Sequence, residues 1–138
     1  MTVEARVGAV GIVVSDMGKT LDFYRRLGLA VPVGADDEPH VEVELGGGMR
    51  LLFDTEPTVR SFHPGWRATE GGGRVGLALA LADPAAVDAA YAELTGAGAH
   101  GELAPFDAFW GMRYATVHDP DGTGVDLFAL LPDGAATG

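Results

Sequence analysis

The feature that most constrains this 138-residue chain is that it repeats itself. RVGAVGIVVSD followed by MGKTLDFYRRLGL in the first half is matched by RVGLALALAD followed by PAAVDAAYAELTGAG in the second. Each copy is an apolar run ending at an aspartate, then a segment of helical period. Setting Asp16 on Asp83 places Tyr24 on Tyr91 and Leu27 on Leu94, with one offset throughout (83 − 16 = 91 − 24 = 94 − 27 = 67). Two copies of one supersecondary unit are therefore expected. Each aspartate suits a helix N-cap, since its carboxylate accepts from N–H groups that the first turn leaves unbonded, and Pro84 falls at the first helical position. Leu21, Tyr24 and Leu27 form one apolar stripe at helical spacing, as do Val87, Tyr91 and Leu94. Gly28 and Gly96 read as the helix stops.

After each helix come period-two segments joined by turn residues, the pattern of a hairpin. HVEVEL, the turn Gly46-Gly47-Gly48 and MRLLFD in the first half correspond to WGMRYATVH, the turn Asp119-Pro120-Asp121-Gly122 and GVDLFALL in the second. Placing Gly48 on Gly122 pairs Leu51 with Val125, Leu52 with Asp126 and Phe53 with Leu127. The expected fold class is α+β: two tandem β-α-β-β-β modules, 6–60 and 73–131, forming a curved mixed sheet within one domain spanning 1–138. Gly71-Gly72-Gly73 reads as their linker. A module of about 60 residues buries little apolar surface alone, so the two are expected to pack together.

Composition removes several functions. Nine Lys+Arg against 20 Asp+Glu give 9 − 20 = −11, so neither nucleic acid nor an anionic membrane surface is an expected partner. The chain has no cysteine, which excludes disulfides, thiolate catalysis and Cys-ligated zinc. No apolar stretch approaches the roughly 18 residues of a membrane span, and no basic head precedes an apolar run, so a cytoplasmic protein is expected. No glycine-rich phosphate loop and no Ser-His-Asp arrangement stands out.

VVSDMGKTLDFYRRLGL (13–29) and HDPDGTGVDLF (118–128) resemble the vicinal oxygen chelate superfamily, which includes glyoxalases, bleomycin-resistance proteins and extradiol dioxygenases. The resemblance covers about residues 6 to 131 and implies the fold rather than a function, since the fold hosts metalloenzymes and metal-free drug binders. A closer resemblance, carried by 39–66, 109–122 and 125–132, is to the mitomycin-resistance proteins. It implies a metal-free homodimer, with pockets at the subunit interface, that holds a planar quinone between a histidine and a tryptophan. The matching positions are His40 and Trp110. Related sequestration proteins bind enediyne and bis-intercalator antibiotics.

In the superfamily's enzymes, first-strand His or Gln and last-strand Glu residues hold a divalent metal, and the resemblance places those positions at Ala9, Gly76, Leu52 and Asp126. Only Asp126 has a donor, so neither a metal nor another cofactor is expected. Strand parity puts Arg50 and Asp54 beside Leu52, Phe128 beside Asp126, and Glu42 and Glu44 on His40's face.

The expected ligand-binding set is His40, Trp110, Trp66, Asp54, Leu52, Phe106, Met112 and Arg113, with no catalytic residue. Several of these, and some of their neighbours, have more than one reading. Trp110 and Phe109, flanking a bend at Gly111, would be core; His40 would be an exposed turn residue; Trp66 would be a lid or pack under the linker. Phe106, after Pro105, would begin a loop at the cavity mouth, while Asp54 and Arg113 would form salt bridges. Glu42 and Glu44 would be a solvated acidic edge or favour a ligand carrying amines. His118 is expected to satisfy turn hydrogen bonds, and His100 to lie on the surface. The functional expectation is a non-enzymatic protein that sequesters a planar aromatic antibiotic. A glyoxalase- or dioxygenase-type enzyme and a bleomycin-type glycopeptide binder are the alternatives.

Overall fold

A computed structural model describes residues 3–69 and 74–132. Two compact units divide the chain, Met1–Ala68 and Thr69–Gly138. The Gly71-Gly72-Gly73 linker lies outside the described residues.

The first unit runs β1 (Ala9–Val14), α1 (Met17–Arg26), β2 (His40–Gly46), β3 (Met49–Thr55) and α2 (Glu56–Phe62). Asp16 caps α1 as its sequence position predicts, accepting from the Lys19 amide at 2.9 Å. Gly28, with φ +83°, ends the helix, and the Leu29 amide returns to the Tyr24 carbonyl at 3.2 Å. The sheet order is β1-β3-β2, with β1 parallel and β2 antiparallel to β3. Leu21 and Tyr24 of α1 are buried with Val41, Val43, Leu51 and Phe53, and the Tyr24 ring lies 5.1 Å from that of Phe53.

The second unit runs β4 (Gly76–Ala80), α3 (Pro84–Gly96), β5 (Gly101–Ala108), β6 (Met112–His118) and β7 (Gly124–Leu130). Its sheet order is β4-β7-β6-β5, with β4 parallel to β7 and the rest antiparallel. Asp83 caps α3 through the Ala86 amide at 2.8 Å. Val87 and Leu94 are buried with Ala115, Val117, Val125 and Leu127.

Strand register confirms the internal repeat. Gly11 of β1 pairs with Leu52, and Ala78 of β4 pairs with Asp126. These pairs are related by 78 − 11 = 67 and 126 − 52 = 74, the offsets that separately align the helices and the hairpins. The α+β class and the mixed sheets hold.

Several details differ from the sequence expectation. The first unit has three strands, not four, because residues 28–39 carry Pro32, Gly34 at φ +75° and an acidic run ending in Pro39, and they form no ladder. An unexpected helix, α2, follows β3, capped by Thr55, whose Oγ1 accepts from the Thr58 amide at 3.4 Å. Gly96 does not stop α3 but is its last helical residue. The stop is Gly98 at φ +104°, and the Ala99 amide returns to Leu94 as Leu29 returns to Tyr24. α3 is therefore three residues longer than α1 (13 − 10). Phe106 begins no loop, because it lies within β5. Trp110 does not open a strand, since it sits in the β5–β6 turn beside Gly111 at φ +88°.

Candidate functional site

Strand alternation gives each sheet one face toward its first helix and one away from it. In the first unit Val41, Val43, Leu51 and Phe53 take the α1 side. His40, Glu42 and Glu44 of β2 therefore share the opposite face with Arg50, Leu52 and Asp54 of β3, and the register pairs His40 with Asp54, Glu42 with Leu52 and Glu44 with Arg50. The polar side chains on that face form one row. His40 Nδ1 lies 2.5 Å from Asp54 Oδ1 and Nε2 lies 2.8 Å from Glu42 Oε2. Arg50 Nη1 donates to the other Glu42 oxygen at 2.7 Å, and its Nε lies 3.3 Å from Glu44.

A carboxylate is acceptor-only, so an imidazole bonded to one at each nitrogen carries a proton on both. The Glu42 contact first, and the Asp54 contact second, accordingly raise the His40 pKa above 6.5. His40 in turn, with Arg50, holds the Glu42 carboxyl below its ordinary value. His40 is not a turn residue. It opens β2, and the preceding Pro39 carbonyl accepts from the Thr55 amide and Thr58 Oγ1. Leu52 and Asp54 are half-buried beside it. Trp66 is engaged within its own unit, with the Arg60 guanidinium 5.3 Å from its ring centre. A shallow depression of about 300 Å³ between Arg25 and Asp37 touches none of these candidates.

In the second unit the face away from α3 is aromatic. Trp110 lies 5.4 Å from the Tyr114 ring, 6.3 Å from Phe106 and 5.0 Å from Phe109, each edge to face. The reading of Phe109 and Trp110 as core is overturned, because they are 81% and 46% exposed. The three-residue turn Phe109-Trp110-Gly111 is too short to carry both rings back under the sheet. Met112 shares this parity and is half-buried. Arg113 does not, because the odd position points it toward α3, where it bonds Asp88 and Asp107 at 3.0 Å each. It leaves the candidate site as a structural cation, held protonated first by Asp88.

Beyond Tyr114 on the same face lies Asp126. Tyr114 Oη donates to its Oδ2, and Thr116 Oγ1 donates to Oδ1 at 2.8 Å. The Asp126 contact, with burial adding to it, pushes the Tyr114 pKa up to about 12. Tyr114 and Thr116 were not among the sequence candidates, although strand parity from Met112 would have reached both. His118 does not serve the turn as expected: it pairs with Glu102 at 2.5 Å and packs edge-on to the exposed His100. Asp119 serves that turn instead, accepting from the Asp121 and Thr123 amides.

The four positions that would hold a divalent metal do not fit one. Ala9 and Leu52 have no donor atom. Gly76 has no donor side chain, and a Cβ there would lie a tight 3.0 Å from the Gly124 carbonyl oxygen. Asp126, which accepts from two hydroxyls, would supply a single carboxylate with no second donor beside it at the other three positions. Among the described residues no group of three His, Asp or Glu is arranged to bind a metal, and no helix is long and apolar enough to cross a membrane.

With this geometry the chain matches, over residues 6–127, the family described as the Glyoxalase/Bleomycin resistance protein/Dioxygenase superfamily. The chain belongs to that family. An uncharacterized protein of Mycobacterium bovis is 31% identical over 116 residues, 80% of this chain and 74% of the relative. One from Mycobacterium tuberculosis matches at the same identity over 66% of its own length. A glyoxalase/bleomycin resistance protein/dioxygenase family enzyme of Burkholderia phytofirmans shares the fold, with TM-score 0.77 at 18% identity over 92% of this chain and all of the other (100%). The family contains enzymes and non-enzymatic binding proteins, and membership alone does not choose between them.

Proposed function

We propose that this chain is a metal-free binding protein that sequesters a planar aromatic, quinone-type, DNA-damaging natural product and so gives self-resistance. The observation that carries the reading is the exposed aromatic face around Trp110, with Phe106, Phe109 and Tyr114 at edge-to-face distances. A flat ligand laid on such rings gains stacking energy beyond the area it buries, about 0.5–1.5 kcal/mol per ring pair. No bond to the ligand is required. Trp110 and His40 are proposed to contact the ligand. Phe106 and Met112 border Trp110 in its unit, as Leu52 and Asp54 border His40 in the other.

Two features support binding over catalysis. Three of the family's four metal positions, Ala9, Leu52 and Gly76, have no donor side chain, which argues against Lewis-acid chemistry of the family type. His40 has both ring nitrogens committed to carboxylates, so it has no free lone pair to act as a general base. The homodimer implied by the sequence resemblance belongs to the same proposal, and sedimentation that returns only monomer counts against it.

The test is titration with mitomycin C, an anthraquinone-fused enediyne and bleomycin, followed by Trp110 fluorescence in a Trp66→Phe background. A planar chromophore is expected to quench the emission, and Trp110→Ala to weaken its binding by about tenfold or more. Unchanged affinity removes Trp110 from the site. Elemental analysis finding about one divalent metal per chain overturns the metal-free reading.

A further inference from the structure

The second unit's aromatic face ends in a carboxylate, Asp126, that no cation neutralises among the described residues. Asp126 is half-buried, and its hydroxyl donors Tyr114 and Thr116 are both neutral. The nearby basic side chains are committed elsewhere: Arg113 pairs with Asp88 and Asp107 on the α3 side, and His118 bonds to Glu102. Among the described residues Asp126 forms no ion pair. Two hydroxyls orient a carboxylate without cancelling its charge. They occupy two of its roughly four lone-pair sites and leave the others open.

The rings beside it act in the same sense. Tyr114, whose hydroxyl touches Asp126, has its ring 5.4 Å from Trp110 and 6.2 Å from Phe106. An aromatic face is the negative end of a quadrupole and attracts cations most strongly where water is partly excluded. A fixed carboxylate set against such faces favours a positively charged group on a flat hydrophobic body. The chain's net charge of −11 draws such a ligand in and repels an anionic one.

We propose that Asp126 anchors a protonated amine on the bound aromatic molecule, so that this site selects amine-bearing planar ligands over neutral or acidic ones of the same shape. The position that carries a metal-binding carboxylate in the family's enzymes thus becomes a ligand-binding carboxylate. This rests on the aromatic-ligand reading above and narrows its ligand class.

The experiment compares naphthylmethylamine, an ammonium at neutral pH, with naphthylmethanol, its neutral counterpart on the same ring. Calorimetric titration of the full chain is expected to give about tenfold or more tighter binding of the amine. Asp126→Asn should bring the amine to the level of the alcohol and leave the alcohol unchanged. In the unsubstituted protein, the Asp126 carboxyl carbon resonance should move with the amine and not with the alcohol, a readout that needs no variant to fold. Equal binding of the two probes overturns this proposal and leaves the aromatic-ligand reading standing. A preference that survives Asp126→Asn also overturns it. Binding of neither probe overturns the aromatic-ligand reading, and this proposal with it.

Discussion

The two units share a framework and differ on the faces turned away from their first helices. In the first unit that face carries a row of charge, Glu44, Arg50, Glu42, His40 and Asp54, each bonded to the next. In the second it carries Phe106, Tyr114, Thr116 and Asp126, with Trp110 in the adjoining turn. The buried sides are alike: Leu51 and Phe53 in one unit do the work of Val125 and Leu127 in the other. The buried side is set by the need to exclude water at near-crystalline packing density, which leaves few choices of residue. The other face has no such demand and is where two copies of one framework acquire different chemistry.

Four predictions probe this comparison. The largest effects should come from truncating the buried sides at equivalent positions. Phe53→Ala is expected to cost about 3–5 kcal/mol and Leu127→Ala about 2–5 kcal/mol. Calorimetry then shows whether each substitution lowers one shared transition or only that of its own unit; two separable transitions would mean that the halves fold independently.

Gly101→Ala comes next, at about 1–3 kcal/mol. A Cβ there would lie 2.1 Å from the Tyr91 hydroxyl and 3.1 Å from a Thr95 methyl. The first unit has no strand at the equivalent place, so this close contact belongs to the second alone. In a Tyr91→Ala background the penalty should largely vanish, and a full penalty there would show that another contact is responsible.

Thr20→Val should stabilise the first unit by about 1 kcal/mol. Thr20 is fully buried and its hydroxyl has no partner among the described residues, so replacing it with a methyl removes a desolvation cost at the same shape. A lowered thermal midpoint would mean that the hydroxyl is satisfied in solution.

The smallest effect is the pH response of the charged row, whose groups are screened by solvent. His40, raised above 6.5, contributes its full stabilisation below that pH and loses it as pH climbs through the raised value. Glu42, lowered from 4.5, contributes above that pH and loses it as pH falls through its lowered value. The thermal midpoint of the parent protein should therefore fall faster than that of His40→Gln from mildly acidic to mildly alkaline pH. Parallel curves would remove His40 as the cause.

What was legible in the sequence was whatever recurs. The caps at Asp16 and Asp83 and the matched hairpins follow from periods and offsets that local geometry enforces and are present as read, while in the helical stripes Leu27 and Tyr91 stay half-buried. The elements without a counterpart were missed. α2 rests on a Thr55 cap with no equivalent in the second half, and residues 28–39 lack the strand that β5 supplies there. Gly96 misled because α3 runs past the position set by its shorter copy.

For the site, parity grouped Leu52 and Asp54 with Arg50 on one strand and His40 with Glu42 and Glu44 on another, and the β2–β3 register set the two groups on one face. Parity equally placed Arg113 on the opposite side from Tyr114, and only the α3 carboxylate at Asp88 gives that placement its meaning. The repeat, the caps and the core stripes were fixed by the order of residues, because hydrogen-bonding periods act over a few positions along the chain. Which polar groups neutralise one another was decided by tertiary structure alone. His40 with Asp54, Arg113 with Asp88, and Asp126 with two hydroxyls are encounters between side chains distant in sequence, and they determine which charges remain for a ligand.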